Sequence, residues 1–234
     1  MAFEIEKKEE KKGFLQSYRD KRLLNADTNL ISDRQYNLTI GFAILGGLLI
    51  NLFMAYFLKE QILSIPIIAV IIAYFIMSLG GIFVVHKASS AFVSGIGYIV
   101  LVVGMGLLLT FFLSMYAESS VYLAFGITAG ITLAMIALGT LFPAIFLSMG
   151  KMLGISLIIT IVAEIFCAFF FRQALVVFDY IVIAIFSLFI GFDWARAQQY
   201  PKTMNNAIDS AADLYVDIIN ILIRVLEITG KANS

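Results

Sequence analysis

The chain has 234 residues, of which 61% are hydrophobic and only 14% are charged. A soluble domain usually has about 45–50% apolar residues and about 25% charged residues. The formal net charge is zero, so the sequence offers no strongly basic surface for a nucleic acid. This composition excludes a soluble globular enzyme, a disordered chain and a nucleic-acid-binding protein, and it predicts a protein that folds in a lipid bilayer.

The first part of the chain differs in composition from the rest. Residues 1–35 hold eight Lys or Arg and seven Asp or Glu, and the first hydrophobic run begins only after them. That run is too long for a cleavable signal peptide. We therefore expect a charged N-terminal segment, residues 1–35, followed by a transmembrane domain, residues 36–230. A short amphipathic helix on the membrane surface is the alternative to a solvated segment.

Seven helices are predicted after residue 35, because a helix needs about 20 apolar residues to span a bilayer. Six are apolar enough to span, and the seventh is more polar. The predicted ranges are 36–58, 62–85, 91–115, 119–140, 152–171, 174–194 and, for the seventh, 207–228. The predicted fold class is an all-α membrane protein with very short connections. Glycines inside the helices, such as Gly81, Gly126 and Gly130, are expected at close helix contacts.

The basic residues near the span ends predict the orientation. With the N-terminus inside, twelve Lys and Arg fall on the inner side: eight in residues 1–35, then Lys87, Lys151, Arg196 and Lys202. Four fall outside: Lys59, Arg172, Arg224 and Lys231. The N-terminus and the connection 193–206 are therefore expected in the cytoplasm.

Ionisable residues inside the predicted helices are the first candidates for function. Each costs about 2.5–3.5 kcal/mol at the centre of a membrane helix on insertion scales. The fifth helix carries Glu164, which has no evident partner in the sequence, and the sixth carries Asp179 and Asp193. The seventh carries Asp209, Asp213, Asp217, Arg224 and Glu227.

The seventh helix has an acidic stripe. Asp209, Asp213 and Asp217 are four residues apart and lie on one face, with Asn220 and Arg224 near the same stripe. Arg224 is expected to pair with Asp217 or Asn220, or to reach the interface. Such a helix fits the centre of a bundle, where Asp209, Asp213, Glu164, Asn220 and Arg224 are candidate pore-lining residues. The alternative is a helix that lies at the membrane surface.

Asp193 and Asp217 lie on helices that the short connection folds together. Helix dimensions allow their carboxyl groups to meet but do not require it. Two carboxyl groups held together in a low dielectric share one proton. The protonated pair would join the two helices, and the deprotonated pair would repel and offer oxygen ligands to a cation. Calcium takes about six to eight oxygens, so two carboxylates alone predict only a weak, partly hydrated calcium site.

The end of the chain resembles a known family. Residues 212–222 read ADLYVDIINIL, which is similar to the Leu-Tyr-Leu-Asp-Phe-Ile-Asn-Leu-like motif of the Bax inhibitor family. Residues 192–196, FDWAR, resemble the Tyr-Asp-Thr-Gln-Arg-like stretch of that family's sixth helix. Residues 122–126 and 138–140 resemble parts of its fourth helix. The similarity spans roughly residues 36–230 and suggests a bacterial-type member in a bacterial plasma membrane.

The resemblance implies a fold and a function. Six helices are expected around a central seventh, and the activity is expected to be a pH-sensitive calcium leak closed by Asp193 and Asp217. Calcium would be the transported ion, and no cofactor is implied. A basic latch residue at the inner end of the second helix corresponds to Lys87, with His86 beside it. Leu123 stands where the family often has an acidic residue.

Three other classes of function are alternatives to the leak. The first is a non-transporting interaction protein that modulates a membrane protease or a stress response, with residues 1–35 as its contact surface. The second is an intramembrane aspartyl protease, but its Gly-x-Gly-Asp motif is absent, and no enzymatic activity is expected. A retinal protein would need a lysine in the last helix, and residues 207–228 contain none.

Overall fold

The computed structural model describes residues 29–171 and 176–230. Within these ranges the helices are α1 (Asp33–Phe57), α2 (Lys59–Leu63), α3 (Ile67–Lys87), α4 (Ala91–Ser114), α5 (Glu118–Leu141), α6 (Pro143–Phe171), α7 (Val176–Ala197) and α8 (Met204–Thr229). Extended pairing in the described ranges amounts to one isolated bridge, Leu30 with Thr203. Nearly all of the charged segment 1–35, and with it the predicted amphipathic helix, lies outside the described residues.

Six helices are long and apolar enough to cross a membrane: α1, α3, α4, α5, α6 and α7. The prediction of an all-α protein with six apolar spans is therefore confirmed. The exposed surface of these helices is rich in large apolar side chains, such as Phe42, Ile68 and Phe169. A surface of this kind is stable against lipid and not against water.

Two predicted helix starts are wrong, and both errors lie at prolines. The fifth apolar helix begins at Pro143 and not at residue 152. Proline is well accommodated in the first turn of a helix, where its missing N–H would have no helical partner. The second apolar helix begins at Ile67 and not at residue 62, because Pro66 disfavours a helical Ile65. Residues Lys59–Leu63 form the separate short helix α2.

Glycine allows α3 and α4 to approach closely. A Cβ atom on Gly81 would lie 2.5 Å from the backbone nitrogen of Leu101 and 2.7 Å from the carbonyl oxygen of Gly97. The two helices therefore touch backbone to backbone at this point. A Cβ on Gly126 or Gly130 would meet nothing within 4 Å. The expectation of close packing is correct for Gly81 and wrong for the two α5 glycines, which lie on an exposed face.

The last helix is the most buried element of the described chain. Tyr215, Ile219 and Ile221 have no exposed surface, and Leu222 is almost as buried. α8 packs against α1, α3, α4, α5 and α7, whereas α6 packs mainly on α7. The polar seventh helix predicted from the sequence is α8, and it is in contact with protein on most of its sides.

One end of the bundle is defined by the connection 198–203 between α7 and α8, and we call it the hairpin end. Here the N–H of Ile31 donates to the carbonyl of Lys202 at 2.8 Å, and the hydroxyl of Tyr36 donates to the carbonyl of Ala197 at 3.1 Å. The ammonium of Lys202 lies 4.4 Å from the centre of the Tyr36 ring. Partial burial lowers the pKa of Lys202, and nearby Asp33 opposes this shift.

Candidate functional site

The facing surfaces of α7 and α8 bring four charged residues together. Asp193 and Arg196 are three residues apart on α7, and Asp213 and Asp217 are four apart on α8, so each pair lies on one helix face. The two helices are antiparallel neighbours joined by a short connection. Arg196 therefore lies opposite Asp213, and Asp193 lies opposite Asp217, one turn deeper in the bundle.

Arg196 is shared between two carboxylates. Its Nη2 atom lies 2.7 Å from Asp193 Oδ1 and 2.8 Å from Asp213 Oδ2. His86, in the last turn of α3, reaches the other oxygen of Asp213, with Nε2 at 2.8 Å from Oδ1. His86, Asp193, Arg196, Asp213 and Asp217 thus form one connected set, which we call the hairpin cluster.

Asp217 is the deepest member of the hairpin cluster. It is 5% exposed, and its carboxyl group lies within reach of a hydrogen bond to that of Asp193. Two carboxyl groups can make such a bond only when one of them carries a proton. The other oxygen, Asp217 Oδ2, is buried without a hydrogen-bond partner in the described part of the chain. The pair that the sequence allowed is therefore in contact, in a setting that favours a shared proton.

The rest of the predicted acidic stripe is held by other partners. Asp209 is almost fully buried, and the Ser94 hydroxyl of α4 donates to its Oδ1 at 2.6 Å. Asn220 donates to the carbonyl of Val216 on its own helix at 2.8 Å. The five polar side chains of the stripe therefore have different partners. Most contact neighbouring helices, and Asn220 bonds to its own helix, so they do not face a single polar surface.

The candidate latch residues differ in their contacts. His86 contacts Asp213 of α8. The Lys87 ammonium lies 5.7 Å from the centre of the Phe83 ring on its own helix. Arg196 is a cation in contact with Asp193, a role that was not predicted from the sequence. The spacing of three residues between Asp193 and Arg196 was the signal that could have identified this ion pair.

A second charged cluster lies at the opposite end of α8. Arg224 forms a bidentate salt bridge with Glu164 of α6, in which Nη1 lies 2.8 Å from Oε1 and Nη2 lies 2.9 Å from Oε2. Its Nη1 also lies 2.8 Å from Asp179 of α7 and 3.3 Å from Glu227. We call these four residues the Arg224 cluster. Glu164, which has no evident partner in the sequence, thus pairs with Arg224, and the expectation that Arg224 pairs with Asp217 or Asn220 is wrong.

An apolar layer separates the two clusters. Asp217 and Arg224 are seven residues apart on α8, which corresponds to about 10 Å along the helix. The buried residues between them include Ile218, Ile221 and Leu222. Charged groups therefore approach α8 from both ends of the bundle, and the segment between them is packed with aliphatic side chains.

The described residues contain no group of three or more His, Cys, Asp or Glu side chains arranged to hold a metal ion. Asp193 and Asp217 supply two carboxyl groups, and Arg196 already compensates part of their charge. A calcium ion at this pair would keep most of its water ligands. The arrangement suits a proton-sensitive contact between helices better than a tight resident metal site.

Comparison with known families assigns the chain. The family described as "Inhibitor of apoptosis-promoting Bax1" matches residues 34–234, which includes all six apolar helices and α8. No curated protein matches the chain significantly. The match covers the helices that carry both charged clusters and agrees with the resemblance of residues 212–222. The chain is a multi-pass integral membrane protein, and it belongs to the Bax inhibitor family.

Proposed function

We propose that this protein is a pH-sensitive calcium leak of the membrane and not an enzyme. Its gate is the carboxyl pair of Asp193 and Asp217, which shares a proton in the closed state. The buried contact between these two carboxyl groups carries the proposal. Membership of the Bax inhibitor family supports it.

Proton binding explains how the pair opens and closes. With one proton shared, the two carboxyl groups form a hydrogen bond that joins α7 to α8. Loss of that proton leaves two negative charges in contact in a buried site, where Coulomb repulsion is strong. The helices then separate at this point, and the carboxylates face a passing cation. Flux is therefore expected to rise with pH.

The proposal includes an arrangement in the membrane. α8 serves as the central helix, and the six apolar helices surround it. The hairpin cluster lies near the cytoplasmic side of a bacterial plasma membrane, and the Arg224 cluster lies near the outer side. Calcium is the transported ion, which the carboxylates bind weakly in passing. Burial of α8 on most sides and the distribution of Lys and Arg support this arrangement.

Calcium entry into liposomes tests the proposal. Purified protein is reconstituted, and calcium entry is measured at a lower and a higher pH, about 6 and about 8, because burial and a neighbouring like charge favour the protonated form of a carboxyl group. The parent should conduct more at the higher pH. Asp193→Asn and Asp217→Asn should each remove the dependence on pH, because neither variant can form the proton-sharing pair.

The matched control is Asp33→Asn, which makes the same chemical change at an exposed position of the hairpin end. This variant should keep the dependence on pH of the parent. An unchanged pH profile in Asp217→Asn would contradict the role of that residue. Absence of flux at both pH values, from protein shown to be folded, would contradict the leak. It would favour the alternative, an interaction protein that modulates a membrane protease or a stress response, to be tested by pull-down with and without residues 1–35.

A further inference from the structure

His86 lies where its charge bears on the gate. It is the one histidine in the sequence. Its side chain is 29% exposed, whereas the Asp213 side chain that it contacts is only 10% exposed. Water can therefore exchange protons with the imidazole ring, while the contact itself lies at the edge of the buried hairpin cluster. Histidine is the side chain that changes charge between pH 5 and pH 8.

Asp213 links His86 to the gate through Arg196. A single guanidinium nitrogen, Nη2, lies within 2.8 Å of both Asp213 and Asp193. The two carboxylates therefore compete for one donor group. When His86 is positively charged, it compensates Asp213 directly. When His86 is neutral, this compensation is lost, Asp213 attracts Arg196 more strongly, and the competition shifts away from Asp193.

We propose that His86 is a second pH-sensitive element of this protein, whose charge decides how Arg196 divides between Asp213 and Asp193. This inference deepens the proposed function and rests on it for its effect on flux. It assigns to His86 a positioning role that acts through Asp213 and Arg196. This role differs from that of the expected latch residue, which would contact Asp193 directly.

Other charged residues lie near His86 on α3 and α8. Lys87 follows it on α3, and α8 presents Asp209 one turn before Asp213, where Ser94 donates to its carboxylate. α4, the main neighbour of α3, carries no Asp, Glu, Lys, Arg or His. The hydroxyl of Tyr98 on α4 donates a hydrogen bond to the carbonyl of Ala43. Asp213 contacts His86 directly and Arg196 contacts Asp213, so removal of either charge should alter His86.

The first test follows the ring of His86 itself. Because the sequence has one histidine, full-length protein labelled at histidine and prepared without a histidine tag gives one set of imidazole NMR signals. In nanodiscs, Asp213→Asn should move the titration midpoint of these signals to lower pH, since a carboxylate that favours the imidazolium is lost. Arg196→Gln should move the midpoint to higher pH, since a competing positive charge is lost.

The opposite signs separate an electrostatic role from a structural one. Glu118→Gln, at an exposed position of the opposite end of the bundle, serves as the control and should leave the midpoint unchanged. A midpoint that moves the same way in Asp213→Asn and Arg196→Gln, or in neither, overturns the inference. This result is obtained whether or not the protein conducts calcium.

The second test uses flux. His86→Gln removes the charge at every pH, so Asp193 loses part of its compensation, and the midpoint of calcium flux should move to higher pH. His86→Arg retains a charge at every pH, and the midpoint should move to lower pH. Unchanged midpoints in both variants overturn the coupling to the gate. Absent flux in the parent, together with the expected NMR shifts, would contradict the proposed function and leave the link from His86 to Asp213 and Arg196 standing.

Discussion

At the scale of single residues, the buried amide of Asn51 ties α1 to α8. Asn51 is 2% exposed, and its Nδ2 donates to the hydroxyl of the fully buried Tyr215. The Tyr215 ring packs edge to face against Tyr98 of α4, with ring centres 5.7 Å apart. Asn51 Oδ1 has no hydrogen-bond partner among the described residues. The hydrogen bond therefore pairs the amide nitrogen of Asn51 with Tyr215, whereas the amide oxygen stays unpaired among the described residues.

Removing the Tyr215 hydroxyl should cost more than the hydrogen bond itself. Tyr215→Phe leaves the Asn51 amide buried without a partner, and we expect a loss of about 1–3 kcal/mol in the free energy of unfolding. The double variant Tyr215→Phe with Asn51→Leu should recover much of that loss, because both polar partners are then absent. Unfolding in detergent micelles measures both effects.

Tyr122→Phe is the matched control, since the Tyr122 side chain is exposed on α5. It makes the same chemical change and should alter the free energy of unfolding little. A double variant that is less stable than Tyr215→Phe alone would show that the hydrogen bond is not the reason for the loss.

Some side-chain contacts in the two charged clusters could be predicted from the sequence, and others could not. The pairing of Asp193 with Asp217 follows from two helices joined by a short connection, although helix dimensions left the contact optional. The contact of Arg224 with Glu164 and Asp179 was not predicted. It depends on how α6 and α7 are rotated about their axes, and the weak amphipathic pattern of these nearly uniformly apolar helices does not determine that rotation.

At the scale of helices, the contact between α3 and α4 depends on one of two adjacent glycines. Gly81 faces the backbone of α4, and Gly80 faces open space with nothing within 4 Å of a Cβ atom. Gly81→Ala should lower the melting temperature in detergent by several degrees, because backbone atoms cannot move aside as a flexible side chain can. About 1 kcal/mol shifts the melting temperature of a domain this size by roughly 2–4 °C.

Gly80→Ala provides the control on the same helix. It adds the same methyl group without a clash, and alanine has the higher helix propensity by about 1 kcal/mol. The melting temperature should therefore stay constant or rise. Equal losses in the two variants would mean that helix propensity, and not the approach of α4, determines the effect.

Hydropathy was sufficient to predict the helices but not all of their ends. Six apolar runs of about the length of a bilayer gave six helices at the expected places. The errors at Pro66 and Pro143 arose because proline is compatible with a helix start as well as with a helix end. The choice between the two depends on the neighbouring helices, which a run of apolar residues does not specify.

At the scale of the whole molecule, the orientation gives a direct prediction. Cys167 is the one cysteine in the sequence, so Cys167→Ala provides a background without thiols. In that background, Glu60→Cys in α2 should react with a membrane-impermeant maleimide in intact cells. Ser89→Cys, between α3 and α4 at the hairpin end, should react only after the membrane is opened. Both positions are exposed in the structure. The reverse pattern would place the N-terminus outside.

The polarity of α8 also has a consequence for biogenesis. Asp209, Asp213 and Asp217 would each cost about 2.5–3.5 kcal/mol at the centre of a lone membrane helix. α8 is not among the described helices that are apolar enough to insert independently. Its charged groups contact side chains of α3, α4, α6 and α7, so we expect those helices to be in the membrane when α8 enters. Because a ribosome makes the chain from the N-terminus, these four helices leave it before α8, the helix whose charged groups they contact.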